Sequence, residues 1–78
     1  MKYTVYDLGQ CHLGERIQVS LQGNAANVRL MDSSNYSNYR SGRQHRYYGG
    51  LAKRSPIVLT IPRSGHWYVT IDLAGLCG

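Results

Sequence analysis

Alternation of apolar and polar residues predicts three β-strands in this chain. Residues 16–22, 57–61 and 66–73 each place apolar side chains at every second position, which is typical of strands with one wet and one buried face. The side chains predicted to face inward are Ile17, Val19, Leu21, Ile57, Leu59, Ile61, Trp67, Val69, Ile71 and Leu73. His66, Tyr68 and Asp72 are predicted to face outward, and Trp67 is expected to be a buried anchor of the core.

Further strands are predicted at residues 2–8 and 28–31. The first of these is apolar on both faces, which indicates a covered position. Residues 44–48 are short, polar and aromatic and predict an edge strand or a strand-like loop, which Gly49 and Gly50 then interrupt. Tyr47 and Tyr48 should point to opposite sides of this segment, so that Tyr48 is a candidate core residue.

A short helical turn is predicted between the strands, at residues 34–41. Asp32 and the two following serines can cap its exposed backbone N–H groups, and Gly42 suits the left-handed position at its end. Five or six short strands with one such turn predict an all-β fold, an antiparallel β-sandwich or open barrel.

The 78 residues are enough for a single domain with a marginal core. The net charge is +5, and arginine predominates among the basic residues, which favours planar recognition of phosphates and carboxylates. Cys11 and Cys77 show no metal-binding spacing. Neither a leader sequence nor a long apolar segment is visible, so we expect a cytoplasmic protein with no contact to membranes, although a disulfide between the two cysteines stays open.

The basic charge concentrates in residues 32–56, where arginines alternate with tyrosines and glycines. Arginines beside tyrosine rings can hold phosphates while stacking bases, and paired glycines allow close approach of backbone N–H groups. The candidate ligand-binding residues are Arg40, Arg43, Arg46, Tyr47, Gly49, Gly50, Arg54 and His66. The alternative interpretation is a solvated edge on which arginines lie flat against tyrosines without any ligand.

Enzymatic chemistry is not indicated. The chain lacks the GxSxG motif of hydrolases and the glycine-rich loops that bind phosphates, and it has no metal-ligand spacing. We therefore expect neither a catalytic residue nor a cofactor. The four carboxylates, Asp7, Glu15, Asp32 and Asp72, are predicted to act as turn caps and charge partners.

The segments GNAANVRLMDSSNYSNYR, HRYYGG, RSP and SGHWYVTIDL resemble a small bacterial family, domain of unknown function 1883. The resemblance covers nearly the whole chain. It implies a small β-sandwich, alone or fused to a domain of the Toll/interleukin-1 receptor type as in bacterial defence proteins, and no established activity. Similar members continue into a further strand, so we expect an open sheet edge that a second copy or a continuation of the chain fills.

Three functions remain open from the sequence. The favoured hypothesis is a sensing module for a nucleotide-like or other anionic small molecule, which acts through a partner or a fused signalling domain. The alternatives are a nucleic-acid-binding module, and an interaction module that forms a homo-oligomer. Sugar binding is a weaker alternative, because exposed tyrosines also stack on sugars. Six basic residues between Ser33 and Ile71 suffice for a phosphate pocket but are few for a long nucleic-acid track.

Overall fold

A computed structural model describes residues 3–21 and 25–73 of the chain. The described residues form six strands and one helix, in the order β1 (Tyr3–Cys11), β2 (Arg16–Val19), β3 (Ala26–Asp32), α1 (Ser33–Arg40), β4 (Tyr48–Ala52), β5 (Ile57–Thr60) and β6 (Gly65–Asp72). Strands β1, β6, β3 and β4 form a four-stranded sheet in that order, and β2 pairs with β5 in a second sheet. All pairings are antiparallel.

The two sheets pack face to face around a single apolar core, which confirms the predicted small all-β fold. Among the described residues the sheets do not close into a barrel. Val28, Leu30, Trp67 and Val69 fill the core from the four-stranded sheet, and Ile61 closes it from beyond β5. Alternation therefore predicted correctly which side chains of β2, β5 and β6 face the core, except at Leu73, which is exposed just after β6.

Residues 44–47 lie outside any strand, in agreement with the strand-like loop, whereas the prediction that Gly49 and Gly50 interrupt the segment is wrong. Strand β4 begins at Tyr48 and runs through both glycines, which pair with Val28 and Arg29 of β3 instead of ending the strand. Gly49 has a φ of +105°, and a Cβ built on it would lie 2.5 Å from the Val28 carbonyl oxygen. Glycine is thus required here because β3 and β4 approach each other too closely for any side chain.

Among the described residues, strand β1 is the outer strand of its sheet, and the prediction of a covered position is wrong. Val5 and Tyr6 are both exposed. The pairing of β1 with β6 shifts register between Asp7 and Gly9, which marks a β-bulge. At the bulge Asp7 accepts hydrogen bonds from the Gly9 backbone N–H, at 2.8 Å, and from His66 Nε2, at 2.6 Å.

Helix α1 begins and ends as the sequence predicts, displaced by one residue. Asp32 is its N-cap, with the Asn35 backbone N–H donating to its carboxylate at 3.0 Å. At the other end Gly42 takes a φ of +75°, and its N–H donates to the Tyr39 carbonyl while that of Arg43 donates to the Asn38 carbonyl. These two bonds form a Schellman motif, which satisfies the last carbonyls of the helix.

Helix α1 covers the second face of the four-stranded sheet, and this changes the environment of β6. Thr70 and Asp72, expected to lie toward solvent, are 0% and 3% exposed. Tyr39 of the helix is also buried, and its hydroxyl donates to the Asp72 carboxylate at 2.7 Å. Asp72 further pairs with Arg29 and accepts from the Asn27 side-chain amide. Helix α1 thus buries the second face of β6, which the alternation of apolar and polar residues predicts to be exposed to solvent.

Candidate functional site

A hollow of about 590 Å³ lies at the end of the four-stranded sheet where β3 stops and α1, β4 and β6 begin. We call it the arginine pocket. It is lined by Leu30, Asp32, Asn35, Arg46, Tyr47, Tyr48, Arg63 and Trp67. Leu30 and Trp67 belong to the buried core and form its floor. Two arginines and one carboxylate line the wall, so the wall carries one positive charge in excess.

Arg63 is held in this wall from two sides. Its guanidinium pairs with the Asp32 carboxylate and lies 5.0 Å from the centroid of the Trp67 ring. The Trp67 indole Nε1 in turn donates to the Arg63 carbonyl at 3.0 Å. Because a guanidinium has five N–H donors and Asp32 accepts from one nitrogen, Arg63 keeps further donors for a ligand.

Arg46 is tied to the same wall through its backbone. Its N–H donates to the Asn35 side-chain oxygen at 2.7 Å, and the Asn35 side-chain amide donates to Asp32 at 2.9 Å. Asp32 and Asn35 thus connect the two arginines across the first turn of helix α1. The Arg46 side chain itself is exposed and lines the hollow.

The Asp32 carboxylate is the acidic group of the pocket. Its partial burial would by itself raise its pKa, but the hydrogen bonds from Asn35 and the pairing with Arg63 outweigh that cost. The pKa of Asp32 therefore lies below its ordinary value. Asp32 is charged at neutral pH and contributes a fixed negative charge to the wall.

Two tyrosines supply the aromatic surface of the pocket. Tyr47 and Tyr48 are 42% and 49% exposed, and both line the pocket. The Tyr47 ring lies 5.0 Å from the Arg29 guanidinium, which is anchored on buried Asp72. The Tyr48 ring lies 6.1 Å from the Trp67 ring, so Tyr48 packs over the core edge without being buried in it.

A smaller hollow of about 240 Å³ lies on the helix-covered face, beyond Tyr47. It is lined by Arg29, Tyr39, Gly42, Arg43, His45 and Asp72. His45 packs edge-on against Tyr39, with the ring centroids 5.1 Å apart, and its Nδ1 lies 3.0 Å from the Arg43 carbonyl oxygen. Burial first, and then the hydrogen bond to Asp72, raise the pKa of Tyr39 to about 12.

The structure brings together only part of the predicted site. Arg46 and Tyr47 line the arginine pocket, whereas Arg43 lines the smaller hollow. Arg40 lies over the Tyr36 ring, 5.9 Å from its centroid, on the helix. Arg54 is exposed and lines neither of the two hollows. The basic segment is thus distributed over several surfaces.

The remaining predicted residues serve the sheet. Gly49 and Gly50 lie within β4, so their backbone belongs to a paired strand and not to a loop around a ligand. His66 stacks on Tyr68 at 4.9 Å and bonds Asp7 across the β1–β6 pair, away from the arginine pocket. The Gly9 backbone N–H and then His66 hold the pKa of Asp7 below its ordinary value.

Sequence reasoning missed Arg63 as a candidate site residue. The sequence shows it only as part of a tight turn, and its approach to Asp32 depends on the pairing of β3 with β6, which places Asp32 opposite Trp67. The available signal was Asp32 itself, a carboxylate at the end of a strand beside a basic segment. A carboxylate in that position requires a cation, and Arg63 provides it.

Cys11 does not line the arginine pocket. Cys11 is a buried thiol of the core, and burial raises its pKa. Cys77 lies outside the described residues, and so does any pairing of the two. Among residues 3–21 and 25–73, no group of three or more metal-ligating side chains is placed to hold an ion. No helix of this part of the chain is long and apolar enough to cross a membrane.

Comparison with known proteins gives one match. The family described as a domain of unknown function, DUF1883, matches residues 1–78. The chain belongs to this family. No curated protein and no solved structure matches it. The description of the family assigns it no function.

Proposed function

We propose that this domain is a non-enzymatic binding or sensing module, which takes up a small nucleotide-like anion in the arginine pocket and acts through a partner or fused signalling domain. The observation that carries the proposal is the placement of Arg46 and Arg63 around one hollow whose walls include exposed tyrosine rings. Guanidinium groups bind phosphate oxygens through paired N–H donors, and aromatic rings stack on bases.

Preorganisation supports this proposal. Arg63 is held between Asp32 and Trp67, and Tyr47 is held by Arg29, so both are positioned before a ligand arrives. A site of fixed side chains loses less conformational entropy on binding than a flexible one. Arg46 is the adjustable member, since its backbone is tied to Asn35 while its side chain is exposed.

The size of the hollow favours a small molecule over a nucleic-acid strand. Its volume of about 590 Å³ falls within the range of roughly 300–1,000 Å³ that is usual for small-ligand sites. A strand would need a continuous track of cations. Arg43 and Arg40 instead lie on the helix-covered face, and Arg54 lies outside both hollows, so the basic residues do not extend the pocket into a groove.

The experiment is a thermal-shift screen of mononucleotides, dinucleotides, short single strands and sugars, followed by calorimetric titration of any ligand found. Arg46→Ala and Arg63→Ala should each weaken binding by about tenfold or more, which corresponds to the loss of one charge-assisted hydrogen bond. Arg54→Ala is the matched control, because it removes the same charge outside the pocket. Equal affinities in all three variants would refute the proposal.

Assembly with another protein chain is a second candidate, supported by a separate observation. An apolar groove of about 290 Å³ opens between β1 and β2, where exposed Tyr6 lies beside Leu8, Ile17 and Val19. Light scattering over a range of concentrations tests this candidate, with Tyr6→Gln expected to reduce any oligomer.

We also propose that this protein resides in the cytoplasm. The supporting observation is the buried thiol of Cys11, which is free among the described residues.

A further inference from the structure

The Asp32 carboxylate is an unusual component for a site that attracts anions. It lines the arginine pocket between two arginines, and its side chain is still 23% exposed. Any negatively charged ligand bound by Arg63 must approach this carboxylate, because the Arg63 guanidinium is paired with it directly. Asp32 therefore repels the same ligand that its neighbours attract.

This carboxylate cannot easily turn away from the pocket. Its Oδ1 accepts from the Asn35 backbone N–H at 3.0 Å and from the Asn35 side-chain amide at 2.9 Å. Its Oδ2 accepts from Arg63. Both oxygens are occupied by the N-terminus of helix α1 and by the pocket arginine, so the negative charge is a permanent part of the wall.

We propose that Asp32 is a charge-selecting residue of the arginine pocket, which biases the site toward singly charged phosphodiesters and against doubly charged phosphomonoesters. This inference rests on the proposed function of the pocket. The wall carries two guanidinium charges and one carboxylate charge, so a single negative charge brings it to neutrality. The described residues of the wall offer no further cation to a second charge on the ligand, and that charge also costs more to remove from water.

The test compares two ligands that differ by one negative charge and one methyl group, adenosine 5′-phosphate and its methyl phosphodiester, at pH 7.5, where the monoester carries nearly two charges. The variant is Asp32→Asn, which removes the charge but keeps a good N-cap for helix α1. Coulomb repulsion acts twice on the dianion and once on the monoanion. We therefore expect a gain of roughly threefold for the diester and about tenfold for the monoester.

The ratio of the two affinities is the decisive readout. Loss of the Asp32–Arg63 pairing also loosens Arg63, which weakens the attraction of the dianion more than that of the monoanion and therefore opposes the expected shift of the ratio. Asp7→Asn is the matched control, because it removes a carboxylate at the β1–β6 edge, outside the pocket, and should leave the ratio unchanged. Asp32→Ser, another neutral N-cap, provides a second variant if Asp32→Asn folds poorly.

Each outcome decides the matter. A shift of the ratio toward the monoester in the Asp32 variants, and not in the Asp7 variant, supports charge selection. An unchanged ratio, with binding that still depends on Arg46, overturns the role of Asp32 while leaving the proposed function standing. Binding that is absent for both ligands, or independent of Arg46, overturns the proposed nucleotide site and this inference together.

Discussion

Arg29 and Asp72 form an ion pair on the face of the four-stranded sheet that helix α1 covers. The Asp72 side chain is fully buried, and that of Arg29 is 18% exposed. The guanidinium also lies between the Tyr39 and Tyr47 rings, at 5.9 and 5.0 Å. This pair thus connects the buried side of the helix to the aromatic wall of the arginine pocket.

Replacing Arg29 should be among the most damaging single changes in this chain. Arg29→Met removes the guanidinium that pairs with the buried Asp72 carboxylate, which should lower the free energy of unfolding by about 3 kcal/mol. Urea unfolding followed by tryptophan fluorescence measures this, with Arg54→Met as an exposed control that should change stability by less than about 0.5 kcal/mol. Equal midpoints for the two variants would show that the Arg29–Asp72 pair does not stabilise the fold.

Alkaline pH should lower the free energy of unfolding of the domain because Tyr39 ionises. In the unfolded chain its phenol ionises near pH 10, whereas in the folded protein its pKa is about 12. The stabilisation of the fold by protonated Tyr39 is therefore fully present below pH 10 and is lost as the pH rises toward 12. The stability difference between wild type and Tyr39→Phe, measured by urea unfolding, should shrink over this range. A constant difference between pH 9 and pH 11.5 would contradict the buried phenol.

Alanine at Gly49 tests the close approach of β3 and β4. Gly49→Ala combines a positive φ with a clash against the Val28 carbonyl, whereas Gly42→Ala meets open space at a comparable positive φ. Gly42→Ala should cost about 1–2 kcal/mol for the left-handed conformation alone. Gly49→Ala should cost clearly more, or prevent folding. Circular dichroism and thermal unfolding of the two variants check this order, and a reversed order would contradict the observed pairing.

Acidic pH should reveal the contribution of Asp32 to the fold. Its pKa is lowered in the folded protein, so its stabilisation is present above the unfolded value of about 3.9 and is lost as the pH falls below it. Asp32→Asn should therefore be less stable than wild type at pH 7, by about 0.5–1 kcal/mol. The two proteins should converge below pH 4 in urea unfolding. Parallel curves over this range would mean that the charge of Asp32 does not stabilise the fold.

Local patterns were sufficient to predict most of this architecture. Alternating aliphatic residues identified the core faces of β2, β5 and β6, and Asp32 and Gly42 marked the two ends of helix α1 within one residue. These features depend on neighbouring residues alone. The prediction for β4 was wrong because paired glycines usually interrupt a strand. Here the close approach of β3 requires glycine within the strand.

The candidate site depends on contacts between distant residues and was predicted only in part. Arg46 and Tyr47, which are adjacent in the chain, both line the arginine pocket. Arg63 joins them only through the pairing of β3 with β6, and Asp72 is buried only because helix α1 folds over that face. No local pattern distinguishes an arginine in an exposed turn from one that completes a pocket thirty-one positions from its carboxylate.

The bulge in β1 bears on how this domain avoids uncontrolled self-association. A straight outer strand of nine residues would expose a long row of unsatisfied backbone groups, on which further chains can accumulate into fibres. The register shift after Asp7 breaks that row in two, and the carboxylate occupies the Gly9 N–H at the break. The stretches on either side of the break, Tyr3 to Asp7 and Gly9 to Cys11, are each short. An incoming strand could therefore add a few hydrogen bonds along one of them but could not extend along the whole side of the sheet.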